Sequence, residues 1–517
     1  MSADSLHSRV RFRLLAALIA LVTLAALTAC ATGESDKISA QSRDGTLSFG
    51  VQSAPNSLDP AQLTEGQGAY VWAGLFDTLL YLDNDGKLQP NAAESWQLSD
   101  DALTVTLKLR SGMTFSTGAP VTSAAVKATM ERTKATAGPM QNWLQVIQTI
   151  QTPDERTVVL QLAKPDAALL TALAMGGGVI GDPATLTQSR TALDPVGSGP
   201  YTLNTAETVN GTTYVLNRRD DHWNAQAYPF RTVKIRVIAD PTARLNALQA
   251  GELNAGSVLA THVDRLKSSG FQVTPVEGSS LLSLVLVDRK GELVPALGDA
   301  RVRKAINMAF DRPKIVEQIA AGAGTATVQT FSPKGIAYDP ALNATFGFDV
   351  DGAKKLLAEA GYPNGFTVTL PETVHAKTFV PTVTQSLAAI GITANWEQVP
   401  MQQAQAAIAS KRFPMMLAID GTAPFARELQ GFMPTHSRNP FHTVDPELSA
   451  LIDQYNRTVD PQRATEVAKA INAFAVRTAW DAPMFHITVN WVTKGGVVFV
   501  ATGQQGLNTV RQFDIAQ

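Results

Sequence analysis

Residues 46–60 read Thr46-Leu47-Ser48-Phe49-Gly50-Val51-Gln52-Ser53-Ala54-Pro55-Asn56-Ser57-Leu58-Asp59-Pro60. The first six alternate as a half-buried strand, and Pro55, Asn56, Asp59 and Pro60 are turn formers that must end it. Helix-like spacing follows over 68–80, where Val71, Leu75, Leu79 and Leu80 fall close to one face. Asp83-Asn84-Asp85-Gly86 then predicts a tight turn. A folded chain that opens with a strand, a turn and a helix sets a β-then-α rhythm.

That rhythm persists downstream. Strands are expected at 103–109, 157–162, 233–238 and 281–287, with helices at 121–133, whose N-cap is Thr122 or Ser123, and at 242–250, stopped by Gly251. The second half predicts helices at 299–310, 313–321, 349–360, 381–390, 446–455 and 461–476, and strands at 367–370 and 392–398. Gly361 and Gly391 stand where helix C-caps require a left-handed residue. Dense β and α elements without strict alternation argue for α/β lobes with mixed sheets.

Upstream of Gly45 the chain has another character. Arg9, Arg11 and Arg13 precede an apolar run over 14–27, too short for a comfortable membrane span, which is the pattern of a secretory signal peptide. It ends in Leu27-Thr28-Ala29-Cys30. This string resembles the lipobox of bacterial lipoproteins, in which the cysteine is acylated and becomes the mature N-terminus. The expected organisation is a signal peptide at 1–29 and a lipidated flexible tether at 30–44 rich in Gly, Ser, Asp and Lys. Cys30 is the sole cysteine of the 517 residues, so the sequence offers neither a disulfide framework nor a cysteine metal site.

A hydrophobic share of 45% with 17% charged residues describes a large core under a lightly charged surface. The formal charge of −2 becomes −4 once Asp4 and the three arginines of the leader are removed, which leaves no basic surplus for nucleic acid. Gly176, Gly178 and Gly181 fit a dinucleotide-binding spacing, but a helix-like stretch precedes them and no strand feeds them. Among seven histidines only His436 and His442 are near neighbours, at a spacing unsuited to shared metal ligation. No metal or cofactor is implied, and no nucleophile–base motif marks an enzyme.

Several strings carry a resemblance that fixes the fold more sharply. Ser57-Leu58-Asp59-Pro60, Gly74-Leu75-Phe76-Asp77-Thr78-Leu79 and Leu88-Gln89-Pro90-Asn91-Ala92-Ala93-Glu94-Ser95-Trp96 are followed in order by Phe115-Ser116-Thr117-Gly118-Ala119-Pro120-Val121-Thr122 and Gly197-Ser198-Gly199-Pro200-Tyr201. Asp221-His222-Trp223, Arg301-Val302-Arg303-Lys304-Ala305-Ile306-Asn307 and 353–362 complete the series. In kind and order these resemble the bacterial extracellular solute-binding proteins of family 5, which take peptides and nickel complexes. The resemblance implies a two-lobed α/β fold like the periplasmic binding proteins of type II, in their large cluster C-like form. Lobe I would comprise 45–275 and 490–517, with an extra subdomain inserted at about 76–190, and lobe II 276–489. Hinges are expected at 273–278 and 489–494.

The same resemblance implies the function: capture of an oligopeptide, dipeptide or similar small solute by a monomer. The solute would pass to an ABC permease with its ATPase subunits, the binder being held at the outer face of the membrane by lipid on Cys30. Ser53, Ala54, Pro55 and Asn56 correspond to the extended segment that holds peptide backbone in this family, and Asp420, Gly421, Thr422 and Ala423 to the opposite wall. Peptide binders of the family carry a Trp and an amine-binding Asp on that second loop, whereas Asp420 and Ala423 stand at those positions here. Asp420 is therefore either a cation acceptor or a turn cap. His375 is a further candidate for the cleft, and Met175-Gly176-Gly177-Gly178 for a lid-side wall. A non-peptide solute such as a nickel chelate or a sugar, and an envelope receptor or peptide-holding chaperone using the same cleft, stay open as alternatives.

Overall fold

The computed structural model describes residues 44–373, 376–436, 438–501 and 508–516. The leader, Cys30, nearly all of the tether and His375 lie outside the described residues. The molecule is organised by one nine-stranded sheet that passes through both lobes. Its strands follow the spatial order Met416–Gly421, Gln272–Val285, Ala482–Thr493, Ala255–Val258, Thr46–Val51, Thr232–Val237, Thr213–Arg218 and Tyr201–Leu203, with Gly324–Ala326 branching from Ala482–Thr493. It is a mixed sheet, as expected of mixed α/β lobes: Thr46–Val51 pairs in parallel with both of its neighbours and the remaining pairs are antiparallel.

The opening strand occupies the predicted Thr46–Val51 and is buried almost throughout. Phe49 meets Tyr70, Trp491 and Phe513, and Trp491 stacks on Phe499 with ring centroids 4.6 Å apart. This aromatic cluster closes the first core with residues drawn from both ends of the chain. The helix expected over 68–80 is shorter, Ala69–Leu75, because Phe76 turns extended and Leu80–Leu82 forms a strand of its own.

A second core runs from Leu79 to Val196. It lies between a four-stranded antiparallel sheet, whose central strands are Thr104–Leu109 and Thr157–Leu162, and the helix Ser123–Ala135. Asp59 ties this unit to the first. It accepts the Ala61 N–H and both guanidinium arms of Arg132, at 2.5 and 2.6 Å, from that helix. The Ser57-Leu58-Asp59-Pro60 turn is thus a fastening. Gly197 and Gly199 do not take a left-handed φ; a Cβ on either would overlap the backbone of Leu75, so close approach is what excludes a side chain.

The third core holds Leu282, Phe310, Leu387, Ile392 and Phe485. Helices of two further clusters start with a recurring device: Asp240, Asp445 and Asp460 each cap a helix with the side chain and are followed by Pro at the first helical position. Strands Phe366–Glu372 and Ile392–Gln398 pair in parallel beside the third core.

Two strands pass between the lobes. Gln272–Val285 and Ala482–Thr493 pair antiparallel, with a register break between Val276 and Ser280. The segments expected as hinges, 273–278 and 489–494, lie largely side by side in this ribbon, Val273 opposite Val492 and Val276 opposite Val489. At the break Gly278 takes a φ of 66°, where a side chain is disfavoured. No helix among the described residues is long and apolar enough to cross a membrane.

Candidate functional site

Just beyond the register break, Leu281 pairs with Asp420 on the edge strand Met416–Gly421. The chain leaves that strand at Gly421 and is pinned at once. The Thr422 N–H donates to Ser279 O at 3.1 Å and its hydroxyl to Gly278 O at 2.5 Å. Pro424 then starts the one-turn helix Phe425–Glu428. Facing this wall is Glu65, immediately ahead of the 3-10 turn Gly66–Gly68, together with Met175. Between them lies a cavity of about 300 Å³ to which the N-terminal part, the inserted unit, the lobe beyond the crossing strands and Asn508 all contribute.

Charge dominates this cavity. Arg427 lies 3.7 Å from Glu65 and places its guanidinium 4.1 Å over the Trp143 ring, so one side chain of the 425–428 helix touches two elements across the cleft. Arg438 is ion-paired with Asp420. Behind Arg438 stand Arg289 and Asp481, and burial lowers the Arg438 pKa, opposed by Asp481 and reinforced by Arg289.

The carboxyls behave differently from surface acids. Glu65 keeps about 26% of its side chain open to the cavity, yet burial between the walls raises its pKa to about 7 against the opposing pull of Arg427. Glu428 is raised to about 8 by burial, although the N–H groups of Ser332 and Ala423 donate to its two oxygens at 3.1 Å. His436 is lowered to about 4 by burial and by Arg427, so it is neutral at neutral pH. The Arg438 N–H donates to His436 Nδ1, which leaves Nε2 as the protonated nitrogen and a donor.

Asp420, Gly421, Thr422 and Ala423 all border the cavity, as does Met175. Asp420 does not cap the turn at Gly421: it sits in the strand and is engaged by Arg438. Ser53, Ala54, Pro55 and Asn56 lie in the loop after the opening strand and are not among the lining residues; Pro55 is buried and packs on Gly68, close in sequence to the lining Gly66. Gly176, Gly177 and Gly178 form a buried 3-10 turn pressed against the Ala172–Leu173 backbone and the side chains of Met140 and Leu144. His375 is outside the described residues.

Glu65, Arg427, Glu428, His436 and Arg438 are the lining groups that sequence reasoning missed. A signal existed only for the helix start, where Pro424 follows the wall loop; nothing in spacing distinguishes a cleft arginine from a solvated one. Among the described residues no group of three or more His, Cys, Asp or Glu side chains is placed to hold a metal ion.

Comparison with known proteins matches this architecture. The family profile of bacterial extracellular solute-binding proteins, family 5 Middle, matches residues 87–438. The glutathione-binding protein GsiB of Escherichia coli (strain K12) is 28% identical over 439 residues, covering 80% of this chain and 83% of that protein. Among solved structures, the binding protein AgaA of A.tumefacien R10 in complex with agropinic acid superposes with a TM-score of 0.77 at 27% identity, over 92% of this chain and 99% of its own. The Helicobacter pylori ABC transporter-associated periplasmic binding protein DppA, in complex with the peptide STSA, gives a TM-score of 0.79 at 21% identity, with 92% and 99% covered.

Proposed function

Because this chain belongs to the bacterial extracellular solute-binding proteins of family 5, we propose that it captures a small peptide or peptide-like solute between its two lobes and hands it to an ATP-driven permease. The observation that carries the reading is the cavity itself, whose walls come from both sides of the two-strand crossing. A site assembled from two lobes exists in full only when they approach, so solute binding and closure are coupled. Relatives that take glutathione and agropinic acid set the solute scale, and a cavity of about 300 Å³ suits molecules of that order.

On this reading the ribbon of Gln272–Val285 and Ala482–Thr493 is the hinge, bending at the register break around Gly278. The units 45–275 with 490–517, and 276–489, then act as the closing lobes, with the inserted subdomain at about 76–190 moving with the first. Arg9, Arg11, Arg13 and the Leu27–Cys30 string support export and acylation at Cys30, which would hold the mature monomer at the outer face of the membrane. Chemistry on the solute is not part of the cycle.

The test is mass spectrometry of whatever co-purifies with residues 45–517, followed by thermal unfolding and X-ray scattering with each candidate. A solute at about a hundred times its dissociation constant raises stability by roughly 2.7 kcal/mol. Compaction on its addition supports the reading; a bound solute with no change in the scattering curve overturns the closing mechanism.

A further inference from the structure

Resting on the binding-protein reading, we propose that the cleft selects a compact organic acid or acidic peptide, held through its carboxylates by Arg427 and Arg438, and that a free amine is not what it recognises. The residues that line the cavity argue this by elimination and by geometry. Asp420, the one lining carboxyl on the edge strand, is paired with Arg438, so an ammonium would have to displace a guanidinium to reach it, whereas a ligand carboxylate can share Arg438 with Asp420 or take its place. Ala423, which lines the cavity on the same loop, carries no charge that could hold an amine. The two guanidiniums enter from one wall and carry planar forks suited to carboxylate.

The surrounding groups reinforce the selection. Around Glu65 stands Arg427 from the opposite wall; the N–H groups of Ser332 and Ala423 donate to Glu428; His436 faces Arg427, and Arg289 and Asp481 flank Arg438 from behind. Glu428 is protonated at neutral pH, Glu65 about half so, and His436 uncharged. Arg427 and Arg438 therefore face fewer ionised carboxylates than the cavity has carboxyl groups, and the neutral carboxyl and imidazole groups can donate hydrogen bonds to an entering anion. Met175 and Leu281 supply the apolar contact that a carbon skeleton uses and a bare inorganic anion does not.

Three dipeptide probes of matched size decide it: N-acetyl-alanyl-glutamate, which has carboxylates and no amine; alanyl-glutamate, which has both; and alanyl-glutamine amide, which has an amine and no carboxylate. Affinity is read by calorimetry on residues 45–517, with inorganic phosphate as a further arm. The expected result is binding of the first two, with dissociation constants within about threefold of each other, and none of the amide or of phosphate. Binding of the amide alone, or of phosphate as tightly as the acids, overturns the proposal while leaving a solute-binding protein. Should no probe bind, the co-purified solute decides: one with a carboxylate supports the proposal, one without overturns it, and absence of any solute overturns the binding reading as well.

Protonation gives an independent arm. Because an anion favours the neutral carboxyls, affinity for N-acetyl-alanyl-glutamate should fall roughly tenfold from pH 6 to pH 9. Glu428→Gln and Glu65→Gln, which fix the neutral form, should flatten that profile. An affinity that rises with pH overturns the proposal.

Discussion

Arginine is used in two ways in this protein. Arg219, Arg303 and Arg312 are buried and spend their donors on backbone carbonyls: Arg219 on Thr114, Phe115, Ser198 and Gly199, Arg303 on Leu297, Gly298, Thr478 and Ala479, and Arg312 on Asn307 and Pro483. Arg427 and Arg438 face the cavity and lean on carboxylates instead. The difference is in what can exchange. A carbonyl locked in a turn has no alternative partner, so the first group is scaffold, whereas a carboxylate at a cavity wall can give up its place to a ligand group of the same chemistry.

The comparison predicts a graded series of stability losses. Arg219→Ala should cost the most, about 4 kcal/mol, because it strands four carbonyls and Asp221 at the junction between the inserted unit and the first core. Arg312→Met follows at about 3 kcal/mol; the apolar stem is replaced, but the carbonyls of Pro483 and Asn307 lose their donors. Both are read from the midpoint of urea unfolding followed by far-ultraviolet dichroism. A loss under 1 kcal/mol for either would break the distinction between scaffold and cleft arginines.

Acidity probes the same contrast through the groups around the cavity and crossing. His436 and His486 are each lowered to about 4 by burial. Folding holds them neutral, so their contribution is present above the unfolded value of 6.5 and is lost as pH falls toward 4. Glu65 and Glu428 run the other way. With folded values of about 7 and 8, their contribution is present below the ordinary value of 4.5 and is lost as pH rises from there through 7 to 8. The two windows overlap between pH 4.5 and 6.5, where the opposing contributions largely cancel, so stability should be nearly level there and fall as pH rises from 6.5 to 8. His486 is wholly buried and neither ring nitrogen makes a hydrogen bond of good geometry, although backbone groups of Phe331 and Ser280 lie close. His486→Leu should make stability increase as pH falls from 6.5 to 4.5 and leave its course above pH 6.5 unchanged; a course that stays level below pH 6.5 would remove His486 from the account.

Arg438→Gln belongs lower in the series for stability and higher for binding. Its partner Asp420 keeps 40% of its side chain exposed and can be rehydrated, so the loss should be about 1 kcal/mol. Affinity for a carboxylate probe should fall at least tenfold. Equal losses in stability and affinity would mean that Arg438 is scaffold after all.

What the sequence made legible follows the same line. Strands with alternation, such as Thr157–Leu162, and helices opened by Asp-Pro pairs, such as Pro461–Arg477, occur where spacing placed them, because local chemistry decides them. Ala482–Thr493 escaped detection: it is buried over most of its length, so periodicity has no polar face to register, and Pro483 near its start reads as a breaker. On the candidate site, the loop 420–423 was named from its correspondence to the second wall in the family that the chain resembles, and it borders the cavity. Glu65, Arg427 and Glu428 were not legible, since their meaning arises only when the 65–68 turn and the 425–428 helix meet across the cavity.

The smallest effect is the most diagnostic of closure. Arg427→Lys retains the charge toward Glu65, 3.7 Å away, but loses the planar face that lies on Trp143. A partly exposed pair of this kind is worth little to the fold, roughly 0.5 kcal/mol, so thermal unfolding should hardly move. The contact nevertheless joins the lobe beyond the crossing to two elements on the near side, and weakening it should shift the solute-free population toward open forms. Scattering would then show a larger radius without solute and the same radius with it, and affinity would drop a few-fold, since each binding event must restore the closed population. An unchanged radius in the solute-free variant would mean that Arg427 contacts the ligand but does not hold the lobes together, and that closure rests on the Asn456–Ala167 contact farther from the cavity.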